Sequence, residues 1–200
     1  AVLANCALFH GRAQEDSCGA AHFGTILVPL LTALIETGRA PLARLIPALV
    51  AGYEAGGVLE KAFAGATTPA GFRSTATYGV VAAAAAVARL YDLDESRTAA
   101  ALSNAVSFTG GVLQSFADGA DEWRYQVGVI ARNGLVAAEL ARAGSLASPH
   151  AFEGPFGLVR AFARCSLDPE LAASLGRDWA ILRVFASPRR WCMAPRPRRA

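Results

Sequence analysis

The chain has one lysine, Lys61, one methionine, Met193, and three histidines, His10, His22 and His150. Each scarcity excludes something. Nearly all its positive charge is arginine, with a cluster of six between Arg183 and Arg199; without that stretch the chain is acidic. No basic stripe runs through the body, so nucleic acid is not an expected partner. The cysteines, Cys6, Cys18, Cys165 and Cys192, form no C-x-x-C and no zinc spacing, which points to reduced thiols in a cytoplasmic protein and to no metal. The apolar run Ile26–Ile35 is too short to cross a bilayer and ends at Glu36, so no membrane partner is expected. A signal-peptide pattern, a phosphate-binding P-loop, a dinucleotide-type glycine pattern and a serine nucleophile elbow are all missing. Alternating strand-like residues are missing too, until Ile181–Phe185. With no methionine at position 1 and a start inside an expected helix, Ala1–Phe9, the sequence reads as a fragment or a processed product.

What is present is helical period in small apolar residues, within 200 residues, enough for one sizeable core. Helices are expected over Ile26–Glu36, over Pro41 to Tyr53 with a break at Gly56-Gly57 before Val58–Phe63, over Thr75–Leu90, and from Asp94 to Ser107 with Asp94 as cap. A further helix is expected over Trp123–Ala143, with shorter ones at Pro155–Arg164 and Pro169–Leu175. Val80–Ala88 has no polar side chain, which suits a helix at the centre of a bundle. The expected class is therefore all-α: a helical domain over 1–177, the start of a second unit at 178–185, and a Pro/Arg-rich tail over 186–200 too polar and proline-dense to order.

Gly71-Phe72-Arg73-Ser74-Thr75-Ala76-Thr77-Tyr78-Gly79 leads into the alanine helix. A helix N-terminus offers unpaired N–H groups and a positive dipole end, so Arg73, Ser74, Thr75 and Thr77 make a natural anion site. The ordinary structural reading is that Ser74 or Thr75 caps the helix.

Four blocks, in order, resemble the MmgE/PrpD family, which includes 2-methylcitrate dehydratase and cis-aconitate decarboxylase. They are Ala7-Leu8-Phe9-His10 through Glu15-Asp16-Ser17 to His22-Phe23-Gly24; Leu49-Val50-Ala51-Gly52-Tyr53-Glu54; the Gly71–Gly79 segment; and Asp118 to Gly134 followed by Phe152-Glu153-Gly154-Pro155-Phe156-Gly157. The resemblance implies a helical domain followed by a smaller α/β lid, an active site between them and usually a homodimer; the chemistry of such a site requires no cofactor, and the scattered cysteines and histidines suggest none. Against that pattern the chain begins after the first helices and stops at the lid's first strand, so it is read as truncated at both ends.

The reactions implied remove a proton or carbon dioxide beside a carboxylate, and they need a base, an acid and cations. The resemblance makes His22 the acid–base candidate and Asp16 its partner. Ser17, Arg73 and Thr75 become candidates to bind substrate carboxylates. Glu15 stands at a family acidic position, and Ala13 replaces an earlier one. Arg73 occupies a position where many members have histidine; it cannot act as a base, but it can clamp a carboxylate. Alignment on Gly128 puts Trp123 where the family has a functional lysine; Arg124 can supply the charge instead, with Gln126 completing a different pocket. A structural role is assigned to His10. Asp16 with Ser17 as an Asx-turn pair, and Trp123 and Tyr125 as packing residues, remain open beside these roles. The function expected is a lyase, dehydratase or decarboxylase, on a small polycarboxylate. The alternatives are an isomerase or epimerase on a similar acid, or a degenerate, non-catalytic member.

Overall fold

The computed structural model describes residues 2–11 and 15–186. Ala13 and the tail beyond 186 lie outside the described residues. The rest is an all-α body. The helices are α1 Val2–Gly11, α2 Gly24–Glu36, α3 Leu45–Thr67, α4 Ser74–Leu90, α5 Glu95–Ser107, α6 Gln114–Asp118, α7 Glu122–Arg142 and α8 Glu170–Ala173.

Helix α4 forms the centre. It packs against α2, α3, α5 and α7, and from Ser74 to Leu90 only Arg89 is exposed. Small side chains make this possible, because alanine and glycine let helix axes approach closely. A Cβ on Gly134 of α7 would lie 2.4 Å from Ala83 Cβ and 2.9 Å from Val80 O. The same reason corrects the expected break at Gly56-Gly57. Helix α3 runs unbroken through both glycines. Gly56 makes room for Ala82 and Phe23, and Gly57 for Ala180, so both serve packing rather than bending. By length and composition alone the span Leu42–Thr67 is apolar enough to cross a membrane; here its inner face is packed on α4.

Three further expectations need correction. Arg73, not Ser74 or Thr75, is the N-cap of α4; it is extended (φ −86°, ψ 112°) and makes no side-chain cap bond. Ser74 and Thr75 are thus the first two helical residues. Asp94 does cap α5, its side chain accepting from Arg97 N at 2.8 Å. The helices expected at Pro155–Arg164 and Pro169–Leu175 shrink to a π turn, Val159–Ala163, and to α8. The strand expected over Ile181–Phe185 is mostly a 3-10 turn, Ala180–Arg183, where the Ala180 N–H donates to the buried Glu54 carboxylate. Extended pairing is confined to β2, Phe185–Ala186, which runs antiparallel to β1, Asp16–Ser17. These two residue pairs join the C-terminal segment to the loop between α1 and α2.

Candidate active site

The loop from Glu15 to Phe23 is held at both ends. Past β1 it turns at Gly19, where φ is +60°, a conformation glycine adopts without strain. Cys18 and Ala21 pair across that turn, and Ala20 N donates to Glu60 Oε1 at 2.7 Å. Asp16 then fastens the loop to α2. Its Oδ1 accepts from Gly24 N at 2.9 Å and its Oδ2 from the Tyr53 hydroxyl at 2.7 Å. Burial pushes the Asp16 carboxyl above its usual range, against the lowering effect of Tyr53 and Gly24. Both oxygens are thus taken up within the protein, and the Asp16 side chain holds the loop in position.

Its backbone acts on His22. The Asp16 carbonyl lies 2.7 Å from His22 Nδ1. A carbonyl only accepts, so the proton sits on Nδ1. Ser17 Oγ is 3.5 Å from the same nitrogen, and His22 N donates to Thr75 Oγ1 at 3.1 Å. The imidazole is thereby oriented with Nε2 as its basic nitrogen.

His22 lines a cavity of about 270 Å³, with His10, Glu15, Ser17, Arg73, Ser74, Thr75, Phe116 and Trp123 among its walls. The N-terminus of α4 opens onto it. Among the described residues the backbone N–H groups of Ser74 and Thr75 have no backbone partner, and the Ser74 and Thr68 hydroxyls are 3.1 Å apart at the rim.

Arg73 is 4% exposed. Its Nη1 donates to Trp123 O at 2.7 Å and to Gln126 Oε1 at 3.1 Å; its Nη2 donates to His10 Nε2 at 2.5 Å. Its guanidinium also lies over the Phe116 ring, 5.2 Å from the centroid. Burial lowers its pKa to about 10, although Glu15 works the other way. At any ordinary pH it is a cation. Because arginine has no acceptor, His10 Nε2 must accept, which makes His10 a neutral imidazole with its proton on Nδ1. Nδ1 is 2.9 Å from Glu15 Oε1, a short contact off the line of the N–H. Burial pulls His10 below the usual imidazole value; Arg73 adds to this and Glu15 opposes it. For Glu15 burial alone would raise the pKa, but the contacts with His10 outweigh it and the carboxyl sits below its usual value. A chain of guanidinium, imidazole and carboxylate thus crosses the cavity wall.

Of the residues marked in the sequence, His22, Ser17, Arg73 and Thr75 come together at this cavity. Gln126 lies behind Arg73, holding its guanidinium and donating to Val112 O. Arg124 does not reach the cavity. It pairs with Asp121 one turn away at 3.0 Å, lies over the outer face of Trp123, and lines a separate surface depression beside α1 and α2. Its place at the start of α7 turns it outward, while Trp123 points in and stacks on Phe116. His10, expected to be structural, is a wall residue with its ring 5.9 Å from that of His22. Sequence reasoning also missed Glu60 and Glu54, two buried carboxylates on α3 that receive backbone N–H groups of the site loop and of the C-terminal turn. Two carboxylates on a helix otherwise apolar but for Lys61 were the available signal. Among the described residues no cluster of three or more His, Cys, Asp or Glu side chains could hold a metal ion.

Comparison with known proteins agrees with this architecture. The family model described as the MmgE/PrpD N-terminal domain matches residues 1–168. The cis-aconitate decarboxylase-like protein oryM of Aspergillus oryzae (strain ATCC 42149 / RIB 40) is 29% identical over 201 residues, covering 92% of this chain. The chain spans 42% of that relative's length. With the family's helical domain matched over most of its residues, the chain belongs to the MmgE/PrpD family, a group of dehydratase and decarboxylase type.

Proposed function

We propose that this cavity is the carboxylate-binding, proton-transferring part of a lyase site, for a dehydratase or decarboxylase acting on a small polycarboxylate such as 2-methylcitrate or cis-aconitate. The observation that carries the reading is the fixed His22 tautomer. With Nδ1 held by the Asp16 carbonyl, Nε2 is the basic nitrogen, and it belongs to the same cavity as a buried cation and a helix N-terminus. A substrate carboxylate is received by the free N–H groups of Ser74 and Thr75, the hydroxyls around them and the remaining donors of Arg73. In a dehydration His22 Nε2 takes the proton from the carbon beside that carboxylate, and the hydroxyl on the neighbouring carbon leaves as water with a proton from solvent; in a decarboxylation His22 enters with a second proton, on Nε2, and delivers it to the carbon that carbon dioxide has left. Charge that develops on the carboxylate side is stabilised by the helix end and the guanidinium, which are already in place. The Aspergillus relative, a cis-aconitate decarboxylase-like protein, supports the same class. An isomerase or epimerase on a similar acid would use the same proton removal. The reading carries with it a cytoplasmic homodimer that uses no cofactor.

One observation favours a second reading, a non-catalytic member: three of Arg73's N–H groups are already spent on Trp123, Gln126 and His10. The two readings separate in one experiment. Cis-aconitate and 2-methylcitrate are titrated into the purified chain while the His22 ring resonances are followed by NMR. Binding that shifts His22 and weakens at least tenfold in Arg73→Gln is expected. Alkene absorbance that changes with the wild type and not with His22→Gln, at unchanged binding, completes the case for catalysis. Absence of binding sinks the proposal, and binding without any chemistry, in a sample shown to be folded, favours the non-catalytic reading.

A further inference from the structure

Resting on the carboxylate reading above, we propose that Glu15 is the specificity-determining residue of the cavity: it accepts a hydrogen bond from a hydroxyl on the ligand that Arg73 holds by its carboxylate, so the site selects hydroxy acids over their unsubstituted counterparts.

The charges carry the argument. Among the described residues, Arg73 and Glu15 are the only side chains lining the cavity that are charged at neutral pH apart from its histidines, and neutral His10 lies between them. This part of the site therefore neutralises itself, whereas a pocket made only for several carboxylates would carry a surplus of cations. The carboxylate of Glu15 is also incomplete. Its side chain is 7% exposed, Oε1 faces His10, and Oε2 has no hydrogen-bond partner among the described residues. An ionised oxygen withdrawn from water and left unpaired is costly, and a donor from a bound molecule relieves that cost. A second carboxylate placed there would be repelled; a hydroxyl would be welcomed. Arg73 retains donors for the ligand's carboxylate one imidazole width away. The ordinary structural account, in which Glu15 merely balances Arg73 through His10, gives no reason for discrimination between ligands that differ by one hydroxyl.

Two matched pairs make the test: malate against succinate, and citrate against tricarballylate. Each pair differs by the hydroxyl alone. Affinities are measured by calorimetry on the full chain. The wild type is expected to favour the hydroxy acid by about tenfold in each pair, the scale of one hydrogen bond to a charged group. In Glu15→Ala the gap should close to within about twofold, with succinate bound as well as before or better, since an anion has gone. Glu15→Gln, which keeps the side chain's size and one acceptor, covers the case where the alanine variant fails to fold; its gap should narrow. Equal binding within the pairs by the wild type, with Arg73 still required, overturns this inference and leaves the carboxylate reading standing. A gap that survives in every folded Glu15 variant also overturns it. If none of the four acids binds, both fall together.

Discussion

Replacing Arg73 by methionine keeps an unbranched, though shorter, side chain and removes its charge and every donor. In the structure the guanidinium is almost fully enclosed, so its interactions are not diluted by water. Without it the Trp123 carbonyl is left without its donor, at about 1–3 kcal/mol for an unpaired buried acceptor. Gln126 can turn and recover its own partner. Glu15 loses the one arginine that lines its cavity among the described residues and becomes a buried anion without that compensation. Together these put the loss near that of breaking a buried ion pair by removing one partner, about 3–5 kcal/mol. That is a large share of the roughly 5–15 kcal/mol that holds a domain folded. Urea unfolding followed by circular dichroism at neutral pH measures it. The double variant Arg73→Met with Glu15→Gln supplies the control. With the stranded charge gone, about 1 kcal/mol or more should return, a coupling that independent sites do not show. A loss under about 1 kcal/mol for the single variant, or a double variant no better than the single one, would refute the view that guanidinium, imidazole and carboxylate act as a unit.

Two more outcomes follow from the same geometry. His10 titrates below the ordinary imidazole value because it is buried, so the unfolded chain binds that proton more readily. Between its folded value and about 6.5, the ordinary value for histidine, stability should therefore fall as pH falls; His10→Gln should flatten that part of the curve, and identical slopes would remove His10 as its cause. Gly24→Ala places a Cβ 2.4 Å from Asp16 Oδ1; displacing that carboxylate should cost about 1–3 kcal/mol, as overpacking does, and broaden the His22 ring resonances, while an unchanged melting curve would contradict the fit described.

The helical body was legible in the sequence because one physical rule governs it. A run such as Val80–Ala88 has nothing polar to satisfy, so it can only lie inside, and small residues tell where helices will touch. The glycine pair at 56 and 57 shows the limit of that rule. Local propensity reads it as a break, while the tertiary structure uses the missing Cβ atoms for contact with Ala82, Phe23 and Ala180. For the site, the residues clustered around the start of α4 were legible, since a helix N-terminus announces itself chemically. Arg124 was not, because its direction depends on where the first turn of α7 sits, and one residue's rotation exchanges it with Trp123. His10 was underrated for a related reason. On its own helix it is a terminal polar residue, and only Arg73 and Glu15, brought from two other segments, give its two nitrogens distinct roles.

The short ladder between β1 and β2 has a consequence in time. Helix pairs such as α3 with α4 can form while later residues are still being synthesised. The carbonyl that orients His22, by contrast, belongs to a residue whose pairing partner lies near the opposite end of the described chain. Contacts between segments so far apart form late, because a long loop must close before they return any free energy. The helical frame therefore assembles first, and the loop that aims the imidazole sets last. A chain cut between α7 and β2 should retain its helices yet hold His22 slackly, which makes the site's order a reporter of complete folding.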